Sequence, residues 1–61
     1  MQYTIKQARC LADKTQVEMA SLLNVSRDTY RKYEKRPETI PATKALQIAK
    51  ITKLNFGDIL F

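Results

Sequence analysis

The segment from Thr15 to Tyr33 carries two consecutive sets of helix-boundary signals, and it limits the possible folds more than any other part of the chain. Thr15 and Glu18 form a Thr-x-x-Glu capping box, so a helix should begin directly after Thr15. Asn24 tolerates the left-handed conformation in which many helices end. Ser26 then provides a favourable N-cap for a second helix. The segment therefore predicts two short helices joined by a tight turn.

Apolar residues in the same segment are spaced to pack the two predicted helices against each other. Met19 and Leu23 fall on one face of the first helix, and the small Ala20 beside them allows a close helix crossing. Val25 precedes the second N-cap and Tyr30 follows it by four residues, which is the spacing of a hydrophobic staple. Together these features predict a helix-turn-helix motif.

Further helices are predicted on both sides of this motif, which gives a compact, all-α domain of five helices. Thr4 and Gln7 form a second capping box in front of the first helix. Pro41 suits the first position of the fourth helix, and Asn55 can cap a short last one. The predicted helices run from Ile5 to about Ala12, from Gln16 to Leu23, from Arg27 to about Lys35, from Pro41 to about Thr52, and through a last turn that contains Asp58.

The sequence also predicts the surroundings of three residues in the outer helices. Leu11 is assigned to the apolar stripe of the first helix, and Leu46 to the apolar face of the fourth. Cys10 is interpreted as a packed or half-buried small residue, with a redox-active or dimer-linking thiol as the alternative.

Length and composition restrict the function classes. Residues 1–61 make one small domain, with the helix-turn-helix at about residues 16–35. One Cys and no His exclude a disulfide framework and a Cys/His metal site within a single chain, and no cofactor is expected. The 11 Lys+Arg against 6 Asp+Glu give a net charge of +5, which favours a polyanion partner such as nucleic acid or an anionic membrane.

Other classes receive little support. An enzyme is not expected, because the chain has no His, no glycine-rich phosphate loop and no paired carboxylates. The lack of disulfides suits a reducing cytosol, so a cytoplasmic location is expected. A membrane partner is not expected, because no apolar run approaches the length of a membrane span and the capped short helices indicate a globule.

The third predicted helix separates charged residues from aromatic ones. Residues 27–36 contain five cations and two anions, and the two tyrosines fall on the opposite face. Such a face is usually a solvated surface, but the second helix of a helix-turn-helix enters the DNA major groove. Arg27 and Lys32 can donate to guanine O6 and N7, while Asp28 can accept from cytosine N4 or stabilise the helix dipole. The predicted base-reading residues are Arg27, Asp28, Arg31 and Lys32.

A second set of residues is placed to contact the DNA backbone. Gln16 stands at the start of a helix, where free backbone N–H groups can bind a phosphate and its side chain adds another donor. The alternative is that Gln16 is a solvent-exposed helix residue without this role. The predicted phosphate contacts are Thr15, Gln16, Lys35, Arg36, Thr43 and Lys44.

Residues from one end of the chain to the other match positions of a known regulator family. They are Ile5, Lys6, Arg9, Thr15, Gln16, Glu18, Ala20, Val25, Ser26, Arg27, Tyr30, Tyr33, Glu34, Ile40, Pro41, Ile48, Ala49, Ile59 and Leu60. With this spacing, the chain resembles the Xre/Cro/CI family of helix-turn-helix regulators, the DNA-binding fold of phage repressors. Each match is weak alone, and their joint spacing carries the resemblance.

The resemblance implies roles for particular residues. The family's phosphate-anchoring glutamine falls on Gln16, and its ion pair between the first and third helices falls on Arg9 and Glu34. We interpret this pair as structural, so removing one partner should cost more than breaking an exposed pair would. The family's base-reading positions fall on Ser26, Arg27, Asp28 and Lys32.

Three residues depart from the family pattern. Asn24 replaces the usual turn Gly, which Asn can tolerate. Thr52 stands where the family has Leu, so the end of the fourth helix is expected to pack less tightly. Lys53 replaces a common Gly, so it must either adopt a left-handed conformation or reshape the turn.

The favoured function is sequence-specific binding of a double-stranded DNA operator, as a transcriptional regulator and specifically a repressor of phage or bacterial type. A homodimer on a roughly palindromic site is expected, because one small module rarely achieves useful specificity alone. Phe56, Leu60 and Phe61 either form the dimer contact or close the monomer core. The chain is either a minimal regulator or the N-terminal piece of a longer one. The alternative function is a protein-interaction module, such as an antitoxin or an anti-repressor.

Overall fold

Side-chain caps begin the first three helices of the computed structural model, which describes residues 2–61. The hydroxyl oxygens of Thr4 and Thr15 each accept a hydrogen bond from a backbone N–H three residues later, and both capping boxes are complete. Ser26 caps the third helix in the same way. The α-helices are α1 (Ile5–Leu11), α2 (Gln16–Leu23), α3 (Arg27–Lys35) and α4 (Ala42–Thr52), and the 3₁₀ helices are Pro37–Thr39 and Phe56–Asp58.

The predicted all-α class is confirmed, and the bounds of α2 and α3 are as predicted. Residues 2–61 contain no β-strand, although an isolated parallel bridge joins Tyr3 to Ile59 near the two chain ends. None of the helices in this described part is long and apolar enough to cross a membrane.

A left-handed residue ends α2 and turns the chain into α3. Asn24 has φ 58° and ψ 44°, as its position predicted. The backbone N–H of Val25 donates to the carbonyl of Ala20 at 3.0 Å, which closes the turn beneath Asn24. Ala20, which accepts this hydrogen bond, is 4% exposed and belongs to the hydrophobic core.

The core draws side chains from all four α-helices and from Ile59 near the C-terminus. Burying a large apolar side chain stabilises a fold by about 1.5–3 kcal/mol, so this cluster is the main source of stability. Val25 packs against the cluster and Tyr30 belongs to it, as the predicted staple requires. The largest fully buried side chains are Ile5, Met19, Leu23, Tyr30 and Ile48.

Three predicted burials are wrong, and helix geometry explains each one. In α1 the buried residues are Ile5 and Ala8, and at about 100° per residue Cys10 falls on the opposite side, where it is exposed. Leu11 lies at the margin of that face, on the last residue of the helix, and is 61% exposed. In α4 the buried face is centred on Ile48 and Ala45, so Leu46 points about 100° away from Ala45 and is 56% exposed.

The last two predicted helices also differ from the structure. Pro41 precedes α4 as its N-cap instead of being its first residue, because its ψ of 147° is extended. The predicted fifth helix is a single 3₁₀ turn, Phe56–Asp58, and Asn55 makes no side-chain hydrogen bond to cap it. The described residues therefore contain four α-helices, and not the expected five.

Thr52 and Lys53, the two departures from the family pattern at the end of α4, are accommodated in different ways. Thr52 is 7% exposed, and its hydroxyl donates to the carbonyl of Ile48 at 2.8 Å, so the buried oxygen is satisfied within the helix. Lys53 adopts the left-handed conformation, with φ 59°, and its turn is not reshaped. For a residue with a side chain this conformation is unfavourable, so the position is a local cost to stability.

Replacing Lys53 by Gly should therefore stabilise the domain by about 1 kcal/mol, because Gly has no Cβ to oppose a positive φ. The matched control is Lys50→Gly, which should lower the free energy of unfolding by about 1 kcal/mol because Lys50 is within the helix. Urea denaturation of the three proteins measures both changes. Equal destabilisation by the two glycines would contradict the assigned backbone conformation.

Candidate nucleic-acid interface

The outer face of α3 is made of long charged side chains, and its inner face of aromatic rings. Tyr30 is fully buried and Tyr33 is 7% exposed. The charged residues of the helix are exposed, except for Glu34, which is partly buried. The exposed charged residues of α3 are Arg27, Asp28, Arg31, Lys32 and Lys35.

Two shallow depressions adjoin this outer face and share Arg31 and Lys35, so they form one surface, which we call the basic surface. One depression lies between α1, the start of α2 and α3. It is lined by Lys6, Gln16, Arg27, Arg31, Glu34 and Lys35. The other follows α3 to its C-terminal end. It is lined by Asp28, Arg31, Lys32, Lys35 and Arg36.

The basic surface unites most of the predicted site residues. It contains the predicted base readers of α3 together with Gln16, Lys35 and Arg36 from the predicted phosphate contacts. Lys6 also lines it but was not among the predicted site residues. Its signal in the sequence is its spacing of three residues from Arg9, which places the two side chains on neighbouring positions of α1.

A carboxylate at the inner edge of the basic surface joins three parts of the chain. The Nε of Arg9 donates to Oε2 of Glu34 at 2.7 Å, and the Nε2 of Gln16 donates to Oε1 at 3.0 Å. Arg9 also donates from Nη1 to the backbone carbonyl of Lys14, in the connection between α1 and α2, at 3.0 Å. The Arg9 and Glu34 side chains are only 12% and 9% exposed. We call Arg9, Glu34 and Gln16 the Glu34 network.

The network keeps Glu34 ionised. Burial raises the pKa of its carboxyl, but hydrogen bonds from Arg9 and Gln16 and the neighbouring hydroxyl of Tyr30 outweigh that effect, so the pKa is lowered overall. The Tyr30 hydroxyl is itself buried and makes no hydrogen bond of good geometry with the described residues. Burial, followed by the adjacent Glu34 carboxylate, raises the pKa of Tyr30, which stays neutral.

The hydroxyls of Ser26 and Thr15 differ in whether they can still donate a hydrogen bond to a ligand. Ser26 accepts from the backbone N–H of Thr29 and donates to the Thr29 hydroxyl at 2.9 Å, so its single proton is in use. Thr15 only accepts, from the backbone N–H of Glu18 at 3.0 Å, so its proton remains available. Ser26 can therefore accept from a base, and Thr15 can donate to a phosphate.

The two predicted phosphate contacts in α4 lie outside the basic surface. The Nζ of Lys44 donates to the backbone carbonyl of Leu23 at 2.7 Å and so satisfies a carbonyl at the end of α2. Thr43 is exposed in the first turn of α4, whose N-terminus has no side-chain cap. Sequence spacing gave no sign of the contact with Leu23, because it joins residues far apart in the chain.

No group of three or more His, Cys, Asp or Glu residues that could hold a metal ion lies together within residues 2–61. The basic surface presents exposed cationic and amide donors with a few acceptors, along α3 and beside the start of α2.

The ion pair of Arg9 with Glu34 should make stability depend on pH. Because the folded-state pKa of Glu34 is lowered, its contribution is present above the ordinary value of 4.5 and is lost as the pH falls through the folded value. Arg9→Met should cost about 2–3 kcal/mol at neutral pH, since it leaves a partly buried carboxylate unpaired. The difference from the wild-type chain should shrink in acid, as Glu34 becomes protonated.

Urea denaturation across the acid range measures this difference. Lys6→Met is the matched control, because it removes an exposed cation from the same helix and should change stability by no more than about 0.5 kcal/mol. A constant effect of Arg9→Met at every pH would contradict the electrostatic role of the pair.

Comparison with known proteins places this geometry in a family. A search of curated proteins and a search of solved structures each found no match. A family model described as helix-turn-helix matches residues 5–59, which is nearly the whole chain and includes the Glu34 network and the basic surface. The chain therefore belongs to the Xre/Cro/CI-type helix-turn-helix family of DNA-binding regulators.

Proposed function

We propose that the chain binds double-stranded DNA in a sequence-specific manner and regulates transcription, with α3 as the recognition helix in the major groove. The observation that carries this proposal is the basic surface, where the exposed side chains of α3 adjoin the N-terminus of α2. A helix-turn-helix protein uses these two elements to read bases and to hold the DNA backbone. In this assignment α2 and α3 are the two helices of the motif, and Asn24 makes the turn.

The base-reading roles follow from the exposed donors and acceptors of α3. Arg27 and Asp28 stand in its first turn, which enters the groove first. Arg31 and Lys32 follow one turn later and can reach guanine edges or the phosphates beside them. Ser26 completes the set as an acceptor, since its only proton is donated to Thr29.

Backbone contacts would hold this helix in register. At the start of α2, the side chains of Thr15 and Gln16 and the free backbone N–H groups of the first turn can all donate to phosphate. Lys35 and Arg36 provide cations at the other end of α3. We assign Thr43 and Lys44 a smaller role, because Lys44 must share its ammonium group with the carbonyl of Leu23.

A homodimer on an inverted repeat is the proposed DNA-bound form, and repression is the proposed outcome. Phe56, Leu60 and Phe61 are 48%, 43% and 36% exposed, so they leave apolar surface open outside the core. The rings of Phe56 and Phe61 stack with centroids 5.0 Å apart and present one apolar face. That face is our candidate dimer contact, and it would also suit a protein partner if the chain were an interaction module.

Selection from a random double-stranded DNA pool tests the proposed function. We expect enrichment of an inverted repeat, with affinity that falls steeply as salt rises because cations on the protein replace counterions on DNA. Enrichment of a single half-site would support sequence-specific binding and contradict the proposed dimer. Weak, salt-sensitive binding to every sequence would overturn sequence-specific recognition and favour the protein-interaction function.

On the selected site, Arg27→Ala and Lys32→Ala should each cost about 1–3 kcal/mol and relax the preference at one base pair. Lys50→Ala is the matched control, because it removes an exposed cation from α4, away from the basic surface. Affinity for the selected site and its single-base variants would be measured for the wild-type chain and the three variants. An equal loss on every sequence would reassign Arg27 or Lys32 to the DNA backbone.

A further inference from the structure

The two oxygens of the Glu34 carboxylate accept from different residues. Only one of these residues, Arg9, is the ion-pair partner. Oε2 accepts from Arg9, which stabilises the packing of α1 against α3. Oε1 accepts from the amide of Gln16 at 3.0 Å, at the first residue of α2. The second contact ties Glu34 to a residue at the surface rather than to the core.

This contact restricts a side chain that would otherwise move freely. Glutamine has several rotatable bonds, and ordering such a side chain opposes binding. The amide nitrogen of Gln16 carries two protons, of which one is donated to Glu34, so the other remains free for a ligand. The Gln16 side chain is thus already ordered in the unbound chain, and one of its amide protons is still free to donate.

The surroundings of Gln16 suit one phosphate group. Lys6, Arg27, Arg31 and Lys35 line the same depression, and Glu34 is the only acidic residue among the described residues that line it. Arg9 pairs with Glu34 from the inner side, so the charge of that carboxylate is compensated. The depression therefore presents excess positive charge around an ordered amide donor.

We propose that Glu34 is a positioning residue for DNA docking. It holds Gln16 so that the free amide proton meets a backbone phosphate seated in this depression, and Lys6 of α1 is an additional contact to that phosphate. This inference rests on the proposed function and adds two residues to it.

Replacing Glu34 by Gln distinguishes a positioning role from a purely electrostatic one, because the two predict opposite changes in DNA affinity. Loss of a negative charge beside a polyanion should tighten binding if charge alone matters. Loss of the fixed acceptor should weaken binding if Glu34 acts through Gln16. An amide at residue 34 has an oxygen at only one of the two positions that accept from Arg9 and Gln16, and its NH2 group at the other position cannot accept.

The experiment is a double-mutant cycle with Gln16→Ala and Glu34→Gln, measured on the selected DNA site at a temperature where every variant is folded. Gln16→Ala should weaken binding about tenfold, without changing sequence preference. Glu34→Gln should weaken binding several-fold in the chain that has Gln16 and have little effect in the chain that lacks it. Tighter binding by Glu34→Gln, or an equal loss in both backgrounds, would overturn the positioning role.

Lys6→Ala tests the additional contact. It should reduce the magnitude of the slope of log affinity against log salt by about 1, the amount expected for one lost phosphate contact. Lys50→Ala should leave that slope unchanged. Equal slopes for the wild-type chain and Lys6→Ala would remove Lys6 from the site.

A measurement on the wild-type chain keeps the proposal testable if Glu34→Gln does not fold. In a ¹⁵N-labelled sample, the side-chain amide of Gln16 should be more ordered than that of Gln47, which is exposed in α4 and makes no side-chain hydrogen bond with residues 2–61. The Gln16 amide should shift when DNA is added. Equal mobility of the two amides would overturn the proposal.

The outcomes also separate this inference from the proposed function. If the wild-type chain selects no DNA sequence, the proposed function fails and the docking role fails with it. If it selects a site that Glu34→Gln binds as tightly, only the positioning role is lost.

Discussion

The contact between Arg9 and Glu34 joins the first helix to the third, and it fixes how α1, α2 and α3 meet. Arg9 also bonds the connection before α2, and Glu34 also bonds the first residue of α2, so three helices meet at one carboxylate. A buried ion pair contributes little net stability compared with apolar packing, because both charges lose water. Its value here is geometric, since three helices must take one arrangement to satisfy all of its donors and acceptors.

Because α3 is shared between the core and the basic surface, its sequence has to meet two demands at once. Tyr30 and Tyr33 fill the core on one side, and the cations face outward on the other. Glu34 lies at the boundary, where its charge is neutralised from inside by Arg9 and its second oxygen reaches Gln16. A change at this boundary should therefore affect stability and ligand binding together, while a change on the outer face should affect ligand binding alone.

Local features of the fold could be predicted from the sequence, whereas features set by distant neighbours could not. The capping boxes and the left-handed Asn24 depend on a few adjacent residues, and the structure has them as predicted. Periodicity places Leu11 and Leu46 on buried faces, but both are exposed, because the width of a buried face depends on how much of it the neighbouring helices cover. The bond from Lys44 to Leu23 arises from a contact between separate helices, for which the chain carries no local signal. The spacing of Lys6 from Arg9 places the two on neighbouring positions of α1, but only the packing of α1 beside α3 brings Lys6 to the basic surface.

The assignment of α3 as the recognition helix can be tested by nuclear magnetic resonance. A ¹⁵N-labelled chain would be titrated with the selected DNA site, and the backbone amide shifts followed residue by residue. We predict that the changes concentrate at the start of α2 around Gln16 and along Arg27–Arg36, with little change around Leu46 except where a dimer forms. Shifts confined to the surface around Leu46 and Phe56, with none along α3, would contradict the proposed binding mode.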